Sequence, residues 1–201
     1  MVKENFIKLF ELSFKKHWDD MAMTDYITKK DYTYEQVAVE VAKLHLLFKE
    51  MKITKDEKIA LVGRNTPMWA ISFISTVTYG AVVVPILQDF HPDDIQHIVN
   101  DYDATLLFIT DNIWENVEES SMPNLRAIFS ITDFRCLHQA SGETIDKTIE
   151  KMNSLFAKRY PNGFTKEDVN YYPKDNSEVV EINYTSGSTG FSKGVMLTGG
   201  N

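Results

Sequence analysis

Lys58-Ile-Ala-Leu-Val-Gly-Arg-Asn-Thr-Pro-Met-Trp-Ala-Ile-Ser-Phe-Ile-Ser-Thr-Val-Thr-Tyr-Gly-Ala-Val-Val-Val-Pro-Ile86 is the stretch that decides the fold. Lys58 to Gly63 is a short aliphatic run that reads as a strand. Pro67 to Tyr79 has helical spacing, and its proline suits a first turn. Ala81 to Ile86 returns to strand. Strand, helix and strand in so little chain is the repeating unit of a parallel sheet.

The alternation continues on both sides. Upstream, Phe6 to Trp18 reads as an amphipathic helix, with Phe6, Leu9, Phe10 and Phe14 on one side and Lys8, Lys15 and Lys16 on the wet side. Thr33 and Gln36 have the form of a capping box, followed by Val37, Val41, Leu44, Phe48 and Met51 at steps of three and four. Downstream come a helix at Pro92 to Asn100 and strands at Thr105 to Thr110 and Ala127 to Thr132. Then follow a helix at Ile145 to Arg159, a loop from Tyr160 to Lys174, and a strand at Val179 to Tyr184. The expectation is one α/β unit whose doubly wound, largely parallel sheet is flanked by helices.

Composition sets bounds on partners. A chain of 201 residues with 43% hydrophobic content can bury a sizeable core. A net charge of -8 offers no basic face for nucleic acid or an anionic membrane, so any phosphate contact must be local. The longest apolar stretch, Gly80 to Leu87, is far shorter than a spanning helix and contains Pro85, so no transmembrane segment is expected. Cys136 is the single cysteine, and Met-Val-Lys-Glu-Asn-Phe has no apolar core of signal-peptide length; both fit a reducing, cytoplasmic setting.

The stretch that carries chemistry is Tyr184-Thr-Ser-Gly-Ser-Thr-Gly-Phe-Ser-Lys-Gly-Val-Met-Leu-Thr198, lying between two strand-like runs. Gly187 and Gly190 permit close backbone approach to a ligand and a nest of N–H groups. Thr185, Ser186, Ser188 and Thr189 add hydroxyl donors, and Lys193 adds a mobile positive charge. A polyphosphate suits this set; a flexible Ser/Gly turn is the plainer reading, and the lysine and flanking strands favour the first. It is not a Walker loop, because Ser192 rather than glycine precedes Lys193. It is not a hydrolase elbow, because Gly187-Ser188-Thr189-Gly190 lacks the Gly-x-Ser-x-Gly spacing.

Three other groupings have ordinary readings. Asp93 and His97 lie one helical turn apart after His91 and could ligate a metal, yet Pro92 and two acids are also normal helix-start chemistry. Cys136 and His138 lack the spacing of a zinc or redox site. Trp69, Phe73 and Tyr79 could line an apolar tunnel, but aromatics on an apolar helix face more often form core.

The 184–198 run resembles the signature of the adenylate-forming superfamily, in which acyl-CoA synthetases carry Tyr-Thr-Ser-Gly-Thr/Ser-Thr-Gly-x-Pro-Lys-Gly-Val followed by Leu-Thr-His. Thr33-Tyr34, Lys58 to Asn65, Trp69 and Gly80 to Pro85 match the same family in order. Two positions depart: Ser192 stands where proline is usual and Gly199 where histidine is usual. The resemblance implies that residues 1–201 are the N-terminal part of an AMP-binding domain, ending after its phosphate loop. It implies that Thr185, Ser186, Gly187, Ser188, Thr189, Gly190 and Lys193 close over the β- and γ-phosphates of ATP, with Thr185 contacting Mg2+. A carboxylate would attack the α-phosphate to give acyl-adenylate and pyrophosphate, and the coenzyme A thiol would then displace AMP.

Further expectations follow from the resemblance. The Phe90 to Ile95 and Gly194 to Thr198 stretches are closer to fatty-acid ligases, making long-chain fatty acid the expected substrate. The catalytic lysine and the adenine and acyl pockets lie beyond the loop in that family, so no catalytic residue is expected within 1–201 and this stretch alone would lack turnover. Three charge-assisted contacts of about 2 kcal/mol barely exceed an association cost of about 4 kcal/mol, so ATP should bind with millimolar or weaker affinity. The rival readings are an aryl- or amino-acid adenylation domain and a non-catalytic assembly module that self-associates through exposed apolar surface.

Overall fold

The computed structural model describes residues 4–145, 147–185 and 193–201. In chain order its elements are α1 (Phe6–Lys16), β1 (Met21–Thr24), β2 (Asp31–Thr33), α2 (Tyr34–Glu50), β3 (Lys58–Val62), α3 (Pro67–Tyr79) and β4 (Val82–Ile86). There follow α4 (Pro92–Asp101), β5 (Leu106–Ile109), the short α5 (Asp111–Trp114), β6 (Ala127–Ser130), β7 (Cys136–Gln139), α6 (Thr148–Arg159), β8 (Val179–Thr185) and β9 (Lys193–Thr198). Among the described residues, seven strands form one sheet in the order β7-β6-β5-β3-β4-β8-β9. The five inner strands run parallel, and β7 and β9 are antiparallel edges. The fold is the expected doubly wound α/β sheet flanked by helices.

The double winding is written in the side-chain alternation of the strands. Ile59, Leu61, Leu106, Phe108, Ala127 and Phe129 face one core, with α2 and α3. Ala60, Val62, Leu107, Ile109 and Ile128 face the other, with α4. Both sets are apolar because helices cover both faces, which is why these strands read as unbroken hydrophobic runs.

Local signals explain the helices. Thr33 and Gln36 form a reciprocal capping box at the start of α2, as the sequence predicts. Thr66 accepts from the Trp69 N–H at the start of α3, and Gly80, at φ 95°, ends it in the left-handed conformation. The last turn of α3 holds no basic residue. Two lysines from elsewhere compensate: Lys55 donates to Tyr79 O, and the buried Lys174 reaches Gly80 O at 3.2 Å and Asp56 at 2.6 Å.

The structure corrects the reading of α1. The helix ends at Lys16, and its buried line is Ile7, Glu11 and Phe14, with Leu9 left exposed. Glu11 replaces an apolar residue on that line because its charge is met by Lys8 at 2.6 Å, Lys15 at 3.0 Å and the Tyr171 N–H at 3.3 Å. The β1–β2 hairpin, the edge strand β7 and the one-turn α5 are additions to the sequence reading. Among the described residues, no helix is long and apolar enough to cross a membrane.

Strand β9 is fixed to the sheet through an aromatic contact that requires a glycine. A Cβ on Gly194 would stand 1.7 Å from the Tyr102 hydroxyl oxygen and 2.6 Å from Cζ. Tyr102 meets Tyr184 edge-on at 5.6 Å, and the Tyr184 hydroxyl donates to Asp101 at 2.5 Å.

Two predictions follow from these contacts. Gly194→Ala should cost about 1–3 kcal/mol in urea unfolding, and under about 0.5 kcal/mol when introduced into Tyr102→Ala. Equal costs in the two backgrounds would show that Tyr102 is not the obstacle. The second concerns His45, whose Nε2 lies 3.0 Å from both Ser75 O and Thr78 Oγ1. The Thr78 hydroxyl already donates to Ile74 O, so Nε2 carries the hydrogen. Burial pushes this imidazole down to about 4, against the opposing bond to Ser75 and with help from Lys55. The unfolded chain therefore takes up the proton first, and stability present above about pH 6.5 is lost as pH falls toward 4. The ring should account for roughly 2 kcal/mol of that loss, less than the full shift implies because it is only partly buried. Urea unfolding between about pH 7.5 and 4.5 should show this component in the parent and not in His45→Gln; the same pH slope in both contradicts it.

Candidate functional site

The parallel strands β3, β4 and β8 end side by side. Val62 is in register with Ile86, and the pairing of Val83 with Glu181 sets Tyr184 level with Ile86. The connection leaving β3 leads to α3 over one core, whereas that leaving β4 leads to α4 over the other. Where two such connections part, an α/β sheet opens a crevice at the carboxyl ends of its strands.

A cleft of about 450 Å³ occupies this place, within the size range of small-molecule sites. Gly63, Arg64 and Asn65 border it after β3, Pro85 to Asp89 at and after the end of β4, and Asn183 and Tyr184 on β8, with Trp69 of α3 as an aromatic wall. Gly63 is demanded by packing, since a Cβ there would come within 2.7 Å of the Thr110 methyl and 3.0 Å of Ile131. Trp69 is held flat by stacking on Phe73, at 5.6 Å and 19°. Tyr184 has its phenol pKa pushed up by burial and by its bond to Asp101, so it stays protonated and keeps donating. Glu181, which borders the neighbouring groove with Phe73, has its carboxyl raised by burial, partly opposed by the Asn183 amide that donates to it at 2.8 Å.

The sequence-predicted residues stand at the rim. Thr185 ends β8 and Lys193 begins β9, and the two are paired across the antiparallel ladder. The segment between them thus joins the arms of a hairpin that rises from the crevice edge of the sheet. Ser186, Gly187, Ser188, Thr189 and Gly190 lie outside the described residues. Of the aromatics considered for a tunnel, Trp69 borders the cleft, Phe73 borders a neighbouring groove with Phe6 and Leu197, and Tyr79 is core, packed on Phe48 and donating to Ile53 O at 2.9 Å. His91, Asp93 and His97 are exposed on the surface of α4, and no three Asp, Glu, His or Cys side chains converge among the described residues.

Arg64, Asn65, Gln88, Asp89 and Asn183 also border the cleft, and none of them stood out in the sequence as a site residue, although Arg64 and Asn65 lie in the Lys58 to Asn65 stretch of the family resemblance. Their common signal is position: each lies just after a strand or, for Asn183, in the last residues of one, at the edge where a doubly wound sheet binds ligands.

Sequence comparison finds relatives with matching order. The long-chain-fatty-acid CoA ligase 6 of Rattus norvegicus is 28% identical over 176 residues, 84% of this chain and 24% of that protein. The human protein of the same name is 30% identical over the same span and shares. The chain therefore spans about a quarter of the length of these relatives. Among solved structures, an anthranilate CoA ligase with bound anthranoyl-AMP superposes with a TM-score of 0.75 at 20% identity, covering 98% of this chain and 34% of that one. A long-chain-fatty-acid CoA ligase from Archaeoglobus fulgidus gives 0.72 at 19% identity, covering 98% and 37%. Residues 10–201 match the family described as AMP-binding enzyme, so the chain belongs to that family.

Proposed function

We propose that residues 1–201 form the front part of an adenylate-forming acid–thiol ligase and hold the polyphosphate of ATP at the carboxyl edge of the sheet. The observation that carries this reading is the β8–β9 hairpin: its arms, ending at Thr185 and Lys193, rise beside a cleft of about 450 Å³. Gly187 and Gly190 lie between those arms in sequence, together with the four hydroxyl residues Ser186, Ser188, Thr189 and Ser192. Backbone N–H groups, hydroxyls and Lys193 counter the charge of the β- and γ-phosphates, and transfer at a phosphorus centre depends chiefly on such positioning and charge compensation. Magnesium, which Thr185 would help to hold, adds positive charge to the phosphates. The carboxylic acid is activated to its adenylate, and coenzyme A receives the acyl group.

Long-chain fatty acid is the proposed acid, supported by the relatives named for that substrate. An aryl acid is the alternative, supported by Trp69 and Tyr184 on the cleft wall. Self-association of the chain finds support in the exposed Val195 and Met196 of the edge strand β9.

Titration of the isotopically labelled chain with MgATP should shift the backbone amides of residues 187–190 saturably, with millimolar affinity, and Lys193→Ala should weaken the response several-fold. Absence of any loop response at tens of millimolar, on the order of ten times that affinity, would reject the phosphate cradle and favour the assembly module.

A further inference from the structure

We infer that Arg64 is a second phosphate-binding cation of this site, gripping the polyphosphate from the side opposite the hairpin. The inference rests on the proposal that the β8–β9 hairpin holds a polyphosphate. Arg64 is exposed, at the cleft rim, two residues beyond the end of β3. It is the one cation among the described residues that border the cleft.

The partners of the other arginines make Arg64 unusual. Arg126 pairs with Glu143 at 2.7 Å, Arg135 pairs with Asp111 at 2.7 Å and Asp133 at 3.0 Å, and Arg159 lies over the Tyr160 ring. Among the described residues, Arg64 has no carboxylate within ion-pair distance and no aromatic face beneath it. Asp89 borders the same cleft without pairing to it.

The strand register places this guanidinium. Val62, Ile86 and Tyr184 lie at one level, so Arg64, two residues past Val62, stands at the height where the chain leaves β8 after Thr185. One strand, β4, separates β3 from β8, about 10 Å between the two outer strands at the usual spacing. An extended arginine and a bound polyphosphate cover that gap together, with β4's end as the floor between them. The planar guanidinium suits phosphate oxygens, which it can bind in pairs.

The test uses the 201-residue chain, inorganic tripolyphosphate and AMP as separate probes, and magnesium throughout, with binding followed by NMR titration. Arg64→Ala should weaken tripolyphosphate about tenfold, leave AMP unchanged and leave the melting temperature unchanged. Arg64→Lys should restore only part of the loss, because it returns the charge without the fork. Unaltered tripolyphosphate affinity in Arg64→Ala, alongside weakening in Lys193→Ala, overturns the role of Arg64 while leaving the hairpin site intact. An equal loss for AMP overturns the assignment to the polyphosphate. Failure of the parent chain to bind tripolyphosphate saturably overturns both the hairpin reading and this inference.

Discussion

Burial of β3 on both faces is the constraint from which the rest of the molecule follows. Ile59 and Leu61 fill one core while Ala60 and Val62 fill the other. A strand so enclosed must satisfy its backbone sideways, and β4 and β5 do this in parallel register. Parallel neighbours need crossover helices, and α3 and α4 provide them on opposite faces. The open carboxyl edge is therefore a by-product of how the core is closed: the two crossovers diverge, and a cleft is left at the strand ends between them.

The two ends of the sheet are treated differently. At the amino-terminal edge the carbonyl end of α3 is compensated: Lys55 and Lys174 close it, and Asp56 neutralises the buried Lys174. Tyr172 helps to close the same end: its N–H donates to Thr78 O at 3.0 Å, and its ring forbids a side chain at Gly80, where a Cβ would come within 2.6 Å. At the carboxyl edge the cation Arg64 has no such partner among the described residues, and the cleft lies beside it. Compensated charge on one side and an unpaired guanidinium on the other is the distribution expected of a scaffold that binds at one edge.

Much of this was legible in the sequence, for identifiable reasons. The β3–α3–β4 unit announced itself because two-sided burial makes the strands continuous aliphatic runs and because Thr66, Pro67 and Gly80 mark the helix ends. The capping box at Thr33 fixed the start of α2 within one residue. Strand β7 escaped because all its residues are only half-buried, leaving no hydrophobic alternation to detect. The face of α1 was misassigned because Glu11, a charge, sits on the buried line, and its partners include Tyr171, distant in sequence. The phosphate-loop sequence was visible as a motif, whereas Arg64, Asn65 and Asn183 were not visible as site residues, since what unites them is strand register rather than sequence spacing.

The central claim is that the carboxyl edge of β3, β4 and β8, together with the hairpin between Thr185 and Lys193, is where the nucleotide phosphates sit. A crystal structure of the chain grown with magnesium and a non-hydrolysable ATP analogue tests this most directly. The β- and γ-phosphates should lie against the backbone of residues 187–190, above the end of β4. Phosphates bound elsewhere on the chain, with the cleft beside Asn183 empty, would contradict it.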